Sequence, residues 1–165
     1  MRAEVFAPLT LNSAGFGAPL DPAPWGHGPG SSPVDPASPF SDNPAALGPA
    51  GTVHMSMADY ARFASAFMSD GGNWLTPASM PGLTPPAEGT PPAYADGWIV
   101  RTVPWVGVDG PGSILAHEGS NTLWHALILL APQKGVGVII LCNDGQVGRV
   151  AVQTLAERLV PIAAA

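Results

Sequence analysis

Leu123-Trp124-His125-Ala126-Leu127-Ile128-Leu129-Leu130-Ala131 and Val136-Gly137-Val138-Ile139-Ile140-Leu141-Cys142 are two apolar runs separated only by Pro132-Gln133-Lys134-Gly135. The first run ends at a proline, and the second is β-branched from its first residue. Runs of this length on either side of a short Gly-containing turn predict an antiparallel hairpin. Both strands are apolar at odd and even positions alike, so both faces of the hairpin need cover, and helices are the natural cover.

Working outward, the neighbouring segments supply strands and helices. Towards the C-terminus, residues 146–159 return to a helical period. Val147, Val150, Ala151, Thr154, Leu155 and Leu159 form a stripe, and Pro161 is the expected stop. Towards the N-terminus, Ser113 to His117 reads as a short strand, and Gly97 to Val103 alternates around Trp98 and Val100. The clearest helix covers 56–69. Ser56 is an N-cap, Asp59 completes a capping box, and Tyr60, Phe63, Ala64, Phe67 and Met68 lie on one face. Asp70-Gly71-Gly72 ends it.

Residues 13–51 are a long loop rich in Pro, Gly and Ser, in which each proline removes a donor and fixes φ. Trp25 and Phe40 are the points at which its rings would pin it to a core. Residues 75–93 are again proline-rich. The fold class is therefore α/β of the α+β kind: one domain over 1–165, with an antiparallel sheet over 97–143 flanked by helices.

Composition narrows the functional classes. Of 165 residues, 11% are charged and 46% are hydrophobic, with a formal net charge of -6. Lys134 is the only lysine. No basic patch exists to hold phosphates, which argues against nucleic acid as a partner. So little charge leaves a free surface poorly covered and suggests that part of it meets a partner or further chain. One cysteine, Cys142, excludes an internal disulfide and a cysteine-built metal cluster. No apolar run reaches membrane-spanning length. Met1-Arg2-Ala3-Glu4 is followed by no signal-peptide core, so the chain as written reads as cytoplasmic.

Four histidines are candidates for chemistry: His27, His54, His117 and His125. His117-Glu118 opens like a zinc-protease motif, but the residue four after His117 is Asn121, so the metal reading fails. No cofactor or metal is implied. His54 and His125 read as structural, Cys142 as a small hydrophobe, and the five tryptophans as core or groove walls. The informative segment is His117-Glu118-Gly119-Ser120-Asn121, a polar, glycine-containing step at the end of an apolar strand. Gly119 permits close backbone approach, and N–H groups at such a strand end suit a developing oxyanion. A plain polar turn is the competing reading.

Several segments together resemble the serine β-lactamase family, in its class C β-lactamase, D-Ala-D-Ala carboxypeptidase and esterase branch. Pro49-Ala50-Gly51, followed by Ser56-Met57-Ala58-Asp59-Tyr60-Ala61-Arg62-Phe63, is similar to that family's "P-A-G, then S-x-x-D-x-x-x-F". Gly97-Trp98 resembles its glycine-tryptophan strand start. His117-Glu118-Gly119 stands where the family has Lys-Thr-Gly or His-x-Gly, and 132–143 resembles the hairpin that follows. Pro24-Trp25-Gly26-His27 also looks familial.

The resemblance implies a partial β-lactamase/transpeptidase-like fold and acyl transfer on an ester or amide. It implies the third-motif role for His117, close approach at Gly119 and an oxyanion N–H at Ser120. Glu118 and Asn121 would contact substrate. An acid at Glu118 would disfavour an anionic substrate and point to neutral esters. Members of the family are often periplasmic or secreted.

The departures are as informative. The residue three before Lys134 is Ala131, so Ser-x-x-Lys is absent. Neither Tyr60 nor Tyr94 is followed by x-Asn. Ser41-Asp42-Asn43 spells another family motif, but it lies in the proline loop and reads as coincidence. The chain therefore reads as the C-terminal portion of such a hydrolase, lacking Ser-x-x-Lys and Tyr-x-Asn and so expected to be inactive alone. The alternative is a non-enzymatic binding or assembly module on the same fold. A sheet edge and a helix face left open would favour self-association or a complementary chain.

Overall fold

The computed structural model describes residues 1–69, 71–72, 74–83, 93–107 and 112–165. Residues 70, 73, 84–92 and 108–111, among them Asp70 of the expected helix stop and most of the second proline-rich stretch, lie outside the described residues. The proline loop carries short pieces of regular structure: strands β1 (Gly15–Phe16), β2 (His27–Gly28) and β3 (Ser32–Pro33), 3-10 turns at Pro29–Ser31 and Ala45–Leu47, and the one-turn helix α1 (Gly48–Gly51). Strand β4 (Val53–His54) and helix α2 (Met57–Met68) follow. Then come β5 (Tyr94–Ala95), β6 (Trp98–Val103), β7 (Gly112–Ser120), β8 (His125–Ala131), β9 (Val136–Cys142) and helix α3 (Gly148–Ala164).

Strands β5 to β9 form one antiparallel sheet in sequence order. The expected hairpin pairs Ala131 with Val136 and His125 with Cys142. Helices cover both faces. On one, Ala64 and Phe67 of α2 pack with Trp98, Leu115, Ile128 and Leu130, and Phe67 meets Trp98 edge-on at 5.0 Å. On the other, Val152 of α3 packs with Val138 and Ile140. Continuous apolar strands are thus explained by burial on both sides.

Two expectations need correction. β7 does not stop at His117 but runs on to Ser120, so the polar motif lies on the strand rather than after it. Helix α3 continues through Pro161, and its packed face is Val152, Ala156, Leu159, Val160 and Ala163. Most of the expected stripe faces outward: Val150 is 68% exposed, and Val147 and Leu155 are also exposed. The helix is apolar on both sides, so periodicity alone could not say which side meets the sheet.

The proline loop is pinned by its backbone rather than by its rings. Phe40 is 83% exposed. Instead, His27 forms a parallel bridge with Asp144, its N–H donating to the Asn143 carbonyl at 2.9 Å, while Gly145 N–H donates to the His27 carbonyl at 3.0 Å. The fit is tight: a Cβ on Gly145 would lie 1.6 Å from the Thr122 carbonyl oxygen. The Asp144 carboxyl is held below the usual carboxylate value by the Ser31 hydroxyl, then by the Val147 and Gln146 N–H groups and nearby His27.

The start of α2 ties the N-terminal segment to the core. Ser56 Oγ accepts from Asp59 N–H at 3.3 Å, as a capping box requires. The return bond comes from 43 residues away: Ser56 N–H donates to Ser13 Oγ at 2.9 Å. The Asp59 carboxylate, only 3% exposed, accepts from Ser13 N–H at 2.7 Å and from the Ser13 hydroxyl at 2.5 Å, with Arg62 on its other oxygen. Phe6, Leu11 and Ala14 pack beside this network against Val53 and Phe63.

The Ser13 hydroxyl, then its N–H, and then Arg62 hold the Asp59 carboxyl below its ordinary value of 3.8, against the opposing effect of burial. A depressed folded value means the stabilisation is fully present above the unfolded value and is lost as pH falls through the folded one. Asp59→Ala should therefore cost about 2–4 kcal/mol at pH 7, because it strands buried donors. Denaturant titrations at pH 7 and pH 3 check this: the gap between wild type and variant should narrow at pH 3, and an equal gap at both would contradict the role given to Asp59.

Candidate active site

β7 is paired to β6 only as far as Ala116, opposite Ile99. Beyond that point, among the described residues, His117 to Ser120 are held by β8 alone, His117 opposite Ile128 and Ser120 opposite His125. A strand edge left open in this way offers backbone N–H and C=O groups to whatever lies against it.

Strand alternation sorts the motif between the two faces. His117 shares the α2 side with Leu115 and Ile128. It is exposed, as expected for the end of an apolar strand, and its ring meets Tyr94 edge-on at 6.4 Å. Gly119 follows on the same side, and a Cβ built there would find nothing within 4 Å. Among the described residues, own-chain packing does not require glycine at that position and leaves the space over it clear. Among the described residues, His117 and Gly119 thus make an open shelf on the α2 side of β7, with the Tyr94 ring against His117.

Glu118 does not join them. The pleat turns it to the α3 side, where its Oε1 lies 2.6 Å from His125 Nε2 and Gln153 Nε2 reaches both carboxylate oxygens at 3.3 Å. The neutral-ester preference that Glu118 beside a substrate would impose loses its ground. Ser120 and Asn121 are taken up by the turn into β8. Ser120 Oγ donates to the Trp124 carbonyl at 2.5 Å and accepts from Thr122 N–H at 3.0 Å. Asn121 Oδ1 accepts from Leu123 and Trp124 N–H at 3.2 and 2.9 Å, and its Nδ2 donates to Asp42 Oδ1 at 2.7 Å. Asn121 therefore clasps the proline loop to the motif turn.

The remaining candidates have structural duties. His54 Nδ1 sits 2.7 Å from the Gly17 carbonyl, and its ring occupies the space beside Gly15. His27 Nδ1 sits 2.8 Å from the Asn143 carbonyl. Ser41 donates to the Pro36 and Ser38 carbonyls, and Asn43 to that of Gly51, so Ser41-Asp42-Asn43 organises its own loop. Burial pushes the Tyr60 phenol up to about 12, so it is neutral at pH 7 and packs as a core residue. Among the described residues, no three His, Cys, Asp or Glu converge as metal donors. No helix among them is long and apolar enough to cross a membrane.

The sequence reading did not foresee Tyr94 beside His117, or the Glu118–His125–Gln153 group. A signal for the latter was present. A turn over 121–124 sets Ser120 opposite His125, and that register puts Glu118 and His125 on one face.

This order of helix, open motif strand and covered hairpin has counterparts. The sequence profile of the Beta-lactamase family matches residues 1–160. The chain belongs to the β-lactamase family. A class C β-lactamase from Rhodobacter sphaeroides superposes with a TM-score of 0.71 at 18% identity, over 96% of this chain and 53% of that one. A β-lactamase/D-alanine carboxypeptidase from Pseudomonas syringae gives 0.71 at 18% identity, over 93% and 50%. An octameric penicillin-binding protein homologue from Pyrococcus abyssi gives 0.65 at 19% identity, over 96% and 36%. The chain thus spans about half, or less, of these structures' length. No curated protein sequence matches it.

Proposed function

We propose that the chain is the C-terminal portion of a β-lactamase-related serine hydrolase, supplying the third-motif wall of an acyl-transfer site whose nucleophile lies outside these 165 residues. The observation that carries this is the open strand edge at His117–Ser120, with His117 exposed and clear space over Gly119. In the proposed reaction a serine hydroxyl from the rest of the domain attacks the carbonyl carbon of an ester or amide. Its proton passes to a base, with His117 on the proton path. The Ser120 N–H faces the developing oxyanion. The carbonyl collapses, the C–O or C–N bond breaks, and the leaving group takes a proton. Water then releases the acyl group from the serine.

Without an activated nucleophile, the chain alone should turn over nitrocefin or p-nitrophenyl butyrate at the buffer rate. Joined to a flanking coded segment bearing Ser-x-x-Lys and Tyr-x-Asn, it should hydrolyse the ester. There His117→Ala should lower kcat/KM by roughly 10²–10⁴ with little change in melting temperature. A stable acyl-serine on the chain alone contradicts the proposal. A locus with neither motif in any frame beside the chain favours a binding or assembly module instead.

Association is favoured by a separate observation. α3 exposes several apolar side chains away from the sheet, Ile162 at 72%, and among the described residues β9 forms an edge of the five-stranded sheet. Exposed apolar side chains at Val147, Val150, Leu155 and Ile162, interspersed with Arg149, Glu157 and Arg158, leave α3 with apolar surface away from the sheet, and an open edge strand pairs readily. At tens of micromolar, sedimentation velocity should show species heavier than the monomer. Val150→Lys with Leu155→Lys should reduce them, and a monodisperse wild-type monomer would contradict this.

A further inference from the structure

Glu118 is the one member of the motif that reaches through to the back of the sheet. Its carboxylate is bound there by His125 of β8 and Gln153 of α3. His125 is 7% exposed. Its Cβ lies where a Cβ on Gly148 would come within 2.8 Å, so the first turn of α3 is seated directly on this histidine. Cys142 stands opposite His125 on β9. One carboxylate thus joins the motif strand, its hairpin partner and the covering helix at a single point.

Net stability is a poor explanation for such a group. A part-buried polar contact of this kind commonly does no better than an apolar pair of similar volume. Its distinctive property is geometric. Among the described residues the segment 117–120 lacks a β6 partner, so register against β8 is the ladder that orients it. A one-residue slip would turn every side chain to the opposite face. Glu118 would then point to the α2 side beside apolar Ile128, away from His125 and Gln153, and His117 would turn inward beneath α3. Buried His125, 7% exposed, would lose its carboxylate partner, which is costly. The pair therefore penalises the slipped register at the place where it is otherwise least defended.

We infer that Glu118, held by His125 and Gln153, is a positioning residue that locks the register of the motif strand and so keeps His117 and Gly119 on the open shelf. The inference deepens the proposed hydrolase reading by assigning Glu118 to orientation rather than to substrate contact. It rests on that reading only for its functional meaning, because the lock itself can be measured without turnover.

The test is residue-resolved amide hydrogen exchange by NMR on the full chain, comparing wild type with Glu118→Ala, Glu118→Gln, Glu118→Met and Gln153→Ala. The amides of 117–121 should exchange about tenfold faster or more in Glu118→Ala and measurably faster in Gln153→Ala. Those of 128–130 in the core should stay at wild-type rates. Glu118→Gln keeps an acceptor at the same reach and should restore most of the protection, whereas Glu118→Met fills the same space without an acceptor and should not; protection retained in Glu118→Met would mean a space-filling role. If 117–121 keep wild-type protection in Glu118→Ala, or open only together with 128–130, the lock does not exist. Should Glu118→Ala fail to fold, Gln153→Ala and Glu118→Gln decide by the same criterion. A chain that never hydrolyses an ester under any completion sinks the hydrolase reading and leaves this result standing.

Discussion

The pairing of β7 with β8 is the constraint on which the rest of the molecule depends. Six consecutive residue pairs run from Leu115 opposite Leu130 to Ser120 opposite His125. Because side chains alternate, this one register fixes three things together. It puts Leu115 and Ile128 under α2, it exposes His117 and Gly119 beyond the end of β6, and it sends Glu118 to His125 beneath α3. Leu130 is fully buried, so a shift of the ladder would also open the core, at a cost of several kcal/mol on the scale of large-to-small core changes. Core and candidate site are therefore not separable features of this chain.

The proline loop serves the same end of the sheet. Asp42 holds Asn121, His27 holds Asn143, and Gly145 passes tightly beneath Thr122. Backbone and side-chain hydrogen bonds can fix an irregular segment without burying large rings, which is why Phe40 is free to stand in solvent. The Ser13–Ser56–Asp59 network does the equivalent work at the other end of that loop, where it binds the N-terminal segment to the first turn of α2.

Local patterns made much of this legible in the sequence. The hairpin of Val136 to Cys142 with the preceding run, the Ser56 cap and the α2 face all follow from short-range periodicity and capping chemistry. What local pattern could not convey was the third dimension. Val147, Val150 and Leu155 form a good apolar stripe, yet Val152 and Ala156 on the opposite side meet the sheet, because both sides of α3 are apolar. The exposure of His117 was readable, although the strand continues past it to Ser120. The location of Glu118 required the register across the turn, and a five-residue polar motif read as a unit hides the fact that a strand divides it between two faces. Asn121 similarly looks free until the loop residue Asp42, 79 positions away, is placed beside it.

The division of the motif between two faces is the central claim, and the reactivity of its histidines tests it most directly. Limited treatment of the folded chain with diethylpyrocarbonate, followed by peptide mass spectrometry, measures how quickly each imidazole is acylated. The account predicts early modification of His117 and protection of His125 until the chain unfolds. Early modification of His125 with His117 protected would mean the opposite register, and the shelf, the lock and the proposed site would fall together.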